Sequence, residues 1–118
     1  MFDWQEYLDL AADLVAHPPD RAEARHRAAA SRAYYAAFHR SRQMIERELG
    51  RALDHQRSIH AEVIRRLCER PARERVGRTL DRLRAKRVHA DYKDQREFFL
   101  RDAELALKLA RRVVSGLR

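Results

Sequence analysis

The nine residues from Arg84 to Tyr92 contain three cations, an imidazole, a carboxylate and a phenol. Cleavage of a phosphodiester bond can use all of these groups. An arginine guanidinium binds two phosphate oxygens and keeps its charge at physiological pH. A histidine that titrates near neutrality can take the proton of a ribose 2′-hydroxyl and return a proton to the leaving oxygen. The segment therefore predicts metal-independent RNA cleavage, with Arg84, Arg87, His89, Asp91 and Tyr92 as candidate catalytic residues.

The same segment also has a purely structural interpretation. Arg87 and Asp91 are four residues apart, so on a helix they can form an ion pair that closes its end, with Tyr92 packed over the pair. Geometry limits the catalytic interpretation, because residues five apart on a straight helix point about 140° away from each other. Arg84 and His89 can face one phosphate only if the helix ends just before His89 or a two-fold dimer brings two copies together.

The net charge of +8 favours an anionic partner such as nucleic acid. Between Arg65 and Arg87 ten basic residues stand against three acids, and the rest of the chain is nearly neutral. Such a basic strip is either a nucleic-acid surface or a solvated helix face in a protein from a GC-rich genome. If it is a nucleic-acid surface, RNA is the expected partner, and the candidate nucleic-acid-binding residues are Arg32, Arg78, Arg82 and Lys86.

Most enzyme classes are excluded by the motifs that the sequence lacks, which include a Gly-rich phosphate loop, His-Glu-x-x-His and a nucleophile elbow. The six histidines are not spaced as metal ligands, so we expect no metal and no other cofactor. The single cysteine, Cys68, excludes an internal disulfide and fits a reducing cytoplasm. The sequence has neither the basic start of a signal peptide nor an apolar span. We expect one cytoplasmic domain over residues 1–118, without membrane contact.

Composition and periodicity predict an all-α fold, an antiparallel bundle of four main helices plus a short helix. Asp3 is expected to cap the first helix and residues 17–20 to end it. The second helix should run from Arg21 to Leu49 and end at Gly50, and Ser58 should cap a short third helix. Pro71 should end or restart that helix. The predicted inward positions are Val76, Leu80, Leu83 and Arg87 on the fourth helix, and Phe99, Ala103, Ala106, Ala110, Val113 and Leu117 on the fifth.

An alanine-rich segment of the second helix, Ser31 to Phe38, carries two adjacent tyrosines. One ring is expected in the core and the other near a helix interface, where its hydroxyl needs a partner. Core packing alone can explain the pair. Arg32 borders this segment and is expected either to be held by a carboxylate or to reach into a groove.

Two stretches together resemble HEPN-domain proteins: Ser31-Arg32-Ala33-Tyr34-Tyr35-Ala36-Ala37-Phe38, and Leu83-Arg84 leading into Arg87-Val88-His89-Ala90-Asp91-Tyr92. The likeness is to the stand-alone bacterial and archaeal members that are often paired with a nucleotidyltransferase antitoxin. It implies a helical bundle that forms a homodimer and, in active members, a metal-independent endoribonuclease site shared by two protomers. The family signature is an arginine, four to six residues and a histidine. Arg84 and His89 match it, with Ala85 where a polar residue is usual; a second register pairs Arg87 with Tyr92 and lacks the histidine.

The first functional hypothesis is therefore a homodimeric HEPN ribonuclease, the toxin of a toxin–antitoxin or defence system. In this hypothesis Arg84 and Arg87 bind the phosphate of single-stranded RNA and His89 transfers protons. Asp91 and Tyr92 orient these three side chains. Tyr92 is also a candidate for modification by a partner nucleotidyltransferase. The alternative is a non-catalytic HEPN module that binds RNA, a nucleotide or a protein partner, and a third possibility is a helical adaptor without a nucleic-acid role.

Overall fold

The computed structural model describes residues 1–16, 20–54 and 58–118, and these residues form helices without any strand. The helices are α1 (Gln5–Ala16), α2 (Ala22–Leu49), α3 (Ile59–Glu69), α4 (Glu74–Tyr92) and α5 (Leu100–Gly116), with a 3₁₀ turn at Pro71–Arg73 before α4. The predicted all-α bundle is confirmed. Most of the turn predicted at residues 17–20 lies outside the described residues.

Most of the helix ends predicted from local sequence signals agree with the structure. The Asp3 carboxylate accepts the backbone N–H of Gln5 at 3.0 Å ahead of α1. Gly50 ends α2 in the left-handed conformation, with φ of 70°, and its N–H donates to the Glu46 carbonyl at 2.9 Å. Ser58 precedes α3 as predicted, but its side chain makes no capping hydrogen bond, so that part of the prediction is wrong.

The central element is α2, which contacts each of the other four helices. It is therefore buried on a wider arc than the single stripe expected from its sequence. Alanines at its closest contacts, including Ala30, Ala33 and Ala37, are completely buried and let the neighbouring backbones approach. Tyr34 is completely buried as well, whereas Tyr35 keeps partial access to solvent. The expectation of one core ring and one interface ring is met.

The inward faces of α4 and α5 agree with the predicted stripes, except at the start of α5. Arg87 is buried at the end of the α4 stripe. Phe98 fills the core in place of Phe99, which is 43% exposed, so the prediction for Phe99 is wrong. The reason is that Phe99 lies just before the first turn of α5 with extended backbone, where helical periodicity does not set the side-chain direction. Its N–H donates to the Asp102 carboxylate at 2.8 Å.

Helices α3 and α4 approach closely at Gly77. A Cβ atom there would lie 2.5 Å from Cys68 Sγ and 3.1 Å from the Cys68 backbone nitrogen. Only a residue without a side chain fits this contact. The spacing of α3 against α4, and with it the position of α3 side chains over α4, depends on this glycine.

The variant Gly77→Ala is expected to lower the free energy of unfolding by about 1–2 kcal/mol, since overpacking outweighs the gain in helix propensity. Urea unfolding followed by circular dichroism measures it. In a Cys68→Ala background the same substitution is expected to cost less, because the sulfur contact is gone. An equal or greater stability of Gly77→Ala relative to wild type would contradict the close contact.

Candidate functional site

Arg87 lies buried under a cluster of aromatic rings. Its side chain belongs to α4 and is 7% exposed. The guanidinium carbon is 5.2 Å from the ring centre of Tyr34, 5.6 Å from that of Tyr35 and 5.7 Å from that of Tyr92. A cation that loses water is stabilised by the negative faces of such rings. The cluster therefore holds a positive charge at the boundary between the core and the surface.

Asp91 supplies the counter-charge one turn further along α4. Its Oδ2 atom lies 3.7 Å from an Arg87 guanidinium nitrogen and accepts a hydrogen bond of 3.2 Å from the hydroxyl of Ser31 on α2. The ion pair expected from the spacing is thus present, and Tyr92 contacts Arg87 as the structural interpretation predicted. Arg87 Nε has no hydrogen-bond partner among the described residues. One donor of a buried cation is left for an acceptor that the described part of the chain does not supply.

His60 on α3 is a site residue that the sequence analysis missed. Its Nδ1 atom is 2.6 Å from the Tyr34 hydroxyl, and its ring stacks on Phe38 at 4.3 Å. Burial, with help from the positive charges of Arg84 and Arg87, lowers the pKa of His60 to about 4. The imidazole is therefore neutral at pH 7, and the positive charges of the two arginines favour this neutral form. A signal was available, because His60 falls on the same helical face as the buried Val63 and Leu67.

The Tyr34 hydroxyl is the partner of His60 Nδ1 on the buried side of the site. Burial raises the pKa of Tyr34 far above its usual value, although Arg84 and Arg87 oppose the rise. The phenol therefore remains protonated at any physiological pH. The positive charge of Arg84 lowers the pKa of both Tyr34 and His60, and the Arg84 side chain is only partly buried. We call the group of Tyr34, His60, Arg84, Arg87 and Asp91 the α4 cluster.

His89 lies apart from the α4 cluster. Its ring packs edge-on against Phe98, with the ring centres 5.0 Å apart. Its Nε2 atom is buried and has no hydrogen-bond partner within the described ranges. The helix continues through His89 to Tyr92, so it does not end where the Arg84–His89 register needs it to end. Within one chain the structure brings Arg87, Asp91 and Tyr92 together, and it does not bring His89 to Arg84.

The four predicted nucleic-acid-binding residues have separate surroundings. Arg32 lies over the ring of Tyr7 on α1, 5.3 Å from its centre, and not against a carboxylate. Arg78 pairs with Glu74, and Lys86 pairs with Asp102 on α5 at 3.3 Å. Arg82 lines an open groove between α4 and α5. Arg78, Arg82 and Lys86 follow one another at intervals of four along one face of α4, whereas Arg32 is on α2.

Arg27 of α2, which the sequence analysis also missed, anchors the end of α4. Its guanidinium donates to the backbone carbonyls of His89 and Ala90 at 3.2 and 2.9 Å, and to those of Lys93 and Arg96 at 3.3 and 2.5 Å. The last carbonyls of a helix lack partners within the helix and carry a partial negative charge. One side chain thus satisfies the C-terminus of α4 and the loop that follows it, which places the last turn of the α4 cluster.

No three histidine, cysteine or acidic side chains of the described segments lie close enough together to hold a metal ion. Of the helices described, none is long and apolar enough to cross a membrane.

The neutral state of His60 makes stability depend on pH. The folded state holds the pKa of His60 at about 4, below the ordinary value of 6.5, so the unfolded chain binds the proton more readily. Stability from this residue is complete above pH 6.5 and is lost as the pH falls towards 4. We expect the free energy of unfolding to drop by up to about 2 kcal/mol between pH 7 and pH 4.5, because solvent screens part of the effect at a partly exposed ring.

Urea unfolding at a series of pH values measures this drop. In His60→Gln, which can still bond to the Tyr34 hydroxyl, the drop is expected to be smaller than in wild type. An unchanged pH dependence in that variant would assign the effect to other groups.

The family comparison agrees with the arrangement of the helices. The family model of the HEPN domain matches residues 13–118. Comparisons with curated proteins and with solved structures give no significant match. The matched range contains all of α2, α3, α4 and α5, and with them every residue of the α4 cluster. The chain belongs to the HEPN domain family.

Proposed function

We propose that this HEPN protein is a metal-independent endoribonuclease that cleaves single-stranded RNA at the α4 cluster. The observation that carries the proposal is a neutral imidazole held beside two arginines. Burial, and after it the positive charges of Arg84 and Arg87, hold the pKa of His60 at about 4, and its Nδ1 atom lies 2.6 Å from the Tyr34 hydroxyl. Cations to bind a phosphate and a neutral base to receive a proton are the two groups that this reaction needs.

Each group has a defined part in the reaction. Arg84, which is partly exposed, binds the scissile phosphate, and the buried Arg87 adds positive potential from beneath it. In the tautomer that the reaction needs, Nδ1–H of His60 donates to the Tyr34 oxygen and Nε2 is free to accept a proton. Nε2 removes the proton of the 2′-hydroxyl, the 2′-oxygen bonds to phosphorus, and the bond from phosphorus to the 5′-oxygen breaks. The proton then passes from His60 to the 5′-oxygen. The products are a 2′,3′-cyclic phosphate and a free 5′-hydroxyl.

Substrate binding itself activates the base. Burial lowers the pKa of His60 most, and the positive charges of Arg84 and Arg87 lower it further. A bound phosphate neutralises their charge and adds a negative charge beside the ring, and both changes raise the proton affinity of the imidazole. His60 thus becomes a stronger base when RNA is in place. Asp91 orients Arg87 through their ion pair.

The register of Arg84 with His89 remains a competing proposal for the proton-transfer residue. It requires a second copy of the chain, since α4 is continuous between these residues.

A homodimer is part of our proposal for a second reason. The start of α5 exposes two large apolar side chains, Phe99 (43%) and Leu100 (44%). Such a patch favours burial against a partner copy.

The toxin role is a further part of the proposal. A ribonuclease that needs no metal or cofactor is harmful to a cell unless it is controlled. The hydroxyl of Tyr92 lies on an exposed ring that contacts Arg87, so an adduct on this oxygen would add bulk and negative charge at the α4 cluster. A nucleotidyltransferase partner acting on Tyr92 would therefore silence the enzyme.

Cleavage of a labelled single-stranded RNA in EDTA tests the enzyme. Wild type is expected to yield fragments with 2′,3′-cyclic phosphate ends. His60→Gln is expected to lower kcat by about 100-fold or more, the usual contribution of acid–base catalysis. Arg84→Ala is expected to lower kcat/KM by about tenfold to 100-fold through loss of a charged contact to phosphate.

The matched control is His89→Gln, which makes the same substitution on the other side of α4. It is expected to retain wild-type cleavage. Loss of activity in His89→Gln with full activity in His60→Gln would replace our assignment with the Arg84–His89 register. If wild type cleaves none of the RNAs tested, the proposed ribonuclease activity is contradicted. Thermal unfolding of each variant separates these outcomes from loss of the fold.

The second candidate function is a non-catalytic module that binds RNA. The observation in its favour is that Arg87, the most buried cation of the α4 cluster, is already engaged by Asp91 and three tyrosine rings. An RNA that binds to wild type and to His60→Gln with equal affinity, without cleavage by either, would favour this function.

Light scattering coupled to size-exclusion chromatography tests the homodimer by measuring the molar mass of the protein in solution. Wild type is expected to elute as a dimer at micromolar concentration. The double variant Phe99→Ser/Leu100→Ser is expected to elute as a folded monomer, because both side chains are exposed in the single chain and their loss leaves its core intact. A monomeric wild type would exclude a composite site.

A further inference from the structure

A wide groove lies between α4 and α5, separate from the α4 cluster. It has a volume of about 1230 Å³ and includes Val15 at the end of α1 among its lining residues. On α5 it extends from Glu104 to Gly116, about 18 Å or just over three helical turns. Its floor is aliphatic, with Val76 and Leu107. No activity proposed above uses this surface.

The walls of the groove are strongly basic. Five cations line it against one acid, Glu104, so its local charge is 5 − 1 = +4. Arg75 and Arg82 come from α4, and Lys108, Arg111 and Arg112 come from α5. The basic strip predicted from the sequence runs from Arg65 to Arg87 and supplies two of the five cations. The packing of α5 against α4 adds three more from a part of the chain that is nearly neutral overall.

None of these five cations forms an ion pair with another residue of the described ranges, so the groove brings together five cations that no side-chain carboxylate neutralises within 4 Å. Nearby, Arg66 pairs with Glu62, Arg78 with Glu74 and Lys86 with Asp102. Bringing like charges together without counter-charges costs free energy. A surface of this kind recovers that energy when an anion binds.

We infer that the groove binds the phosphate backbone of an RNA strand outside the cleavage site. Guanidinium forks on both walls match phosphate oxygens, and an aliphatic floor accommodates ribose without selecting a base. A protein helix is the less suitable occupant, because protein interfaces are centred on a desolvated apolar or aromatic anchor, and here three small aliphatic patches lie among five charges. The groove is therefore an anchor for RNA without sequence preference. The inference rests on the RNA substrate of the proposed function.

The groove and the α4 cluster are on different flanks of α4. Arg82 in the groove and Arg84 in the cluster are two residues apart and so point about 160° away from each other on the helix. Anchoring is therefore expected to change the affinity for RNA and to leave the chemistry at His60 unchanged. This separation gives the two proposals different readouts.

The test measures binding of the full chain to a fluorescein-labelled oligouridylate of about fifteen nucleotides with 2′-O-methyl riboses. This probe cannot be cleaved by attack of a 2′-oxygen, so binding is measured whether or not the protein is an enzyme. The variant Lys108→Glu/Arg111→Glu reverses two exposed groove cations. The control variant Arg47→Glu/Arg51→Glu makes the same change in net charge at exposed positions outside the groove.

We expect the groove variant to bind at least about tenfold more weakly than wild type at moderate salt, and the control less than about threefold more weakly. The slope of log affinity against log salt is expected to fall by about 1.4 in the groove variant, or about 0.7 for each lost phosphate contact. If wild type cleaves RNA, the groove variant is expected to raise KM at an unchanged kcat.

Equal weakening by the two variants would mean that only overall charge matters, and it would overturn the proposal. Unchanged RNA binding in the groove variant, together with loss of polyglutamate binding, would identify the groove as a site for an acidic protein segment and would overturn it as well. Loss of RNA binding only in the groove variant supports the anchor even when wild type shows no cleavage. Failure of the ribonuclease is thus distinguishable from failure of the groove.

Discussion

The buried charge of Arg87 is the constraint around which the rest of the structure is arranged. A guanidinium that is 7% exposed has lost most of its hydration, and that loss costs several kcal/mol unless other groups replace the water. Asp91 and the three tyrosine rings replace part of it, and Ser31 holds Asp91 in place. These partners come from α2 and from the last turns of α4. The contacts that cross to α2 constrain the rotation of α4, because turning α4 would move Arg87 away from the rings of Tyr34 and Tyr35 and would break the hydrogen bond from Ser31 to Asp91.

The same constraint explains why the ends of the helices matter as much as their apolar faces. Asp91 and Tyr92 belong to the last turn of α4, where a helix normally frays because its carbonyls lack partners. Arg27 donates to four carbonyls in this region and holds the turn in place. On the other side, Gly77 lets the C-terminal end of α3 pack closely against α4, and the first turn of the same helix carries His60, which contacts Tyr34. A rigid α4 cluster thus depends on two contacts that contribute no chemistry of their own.

The bundle could be predicted from sequence because its signals are local. Caps such as Asp3 and Gly50, and apolar residues at helical spacing, act within a few residues of each other. The inward position of Arg87 was also visible, as a cation at the end of an apolar stripe. His60 could not be assigned to the site in this way, since its partners Tyr34 and Arg84 are 26 and 24 residues away and meet it only after α3 docks. The prediction for Phe99 is wrong for a different reason. The helical periodicity of α5 was applied to Phe99, which precedes the first residue of the helix.

Helix α4 thus presents three different surfaces over nineteen residues. Its apolar stripe faces the core, Arg84 faces His60, and Arg82 faces the groove. Because Arg82 and Arg84 diverge by about 160°, a short RNA held in the groove of one chain cannot also lie over His60 of that chain. Either a longer RNA passes around the end of α4, or a two-fold partner places its own α4 cluster beside the groove. The exposed apolar side chains of Phe99 and Leu100 lie at that end of α4, and burying them against a second copy would close the path around it. In a dimer built through this patch, RNA anchored on one protomer would therefore be cleaved by the other.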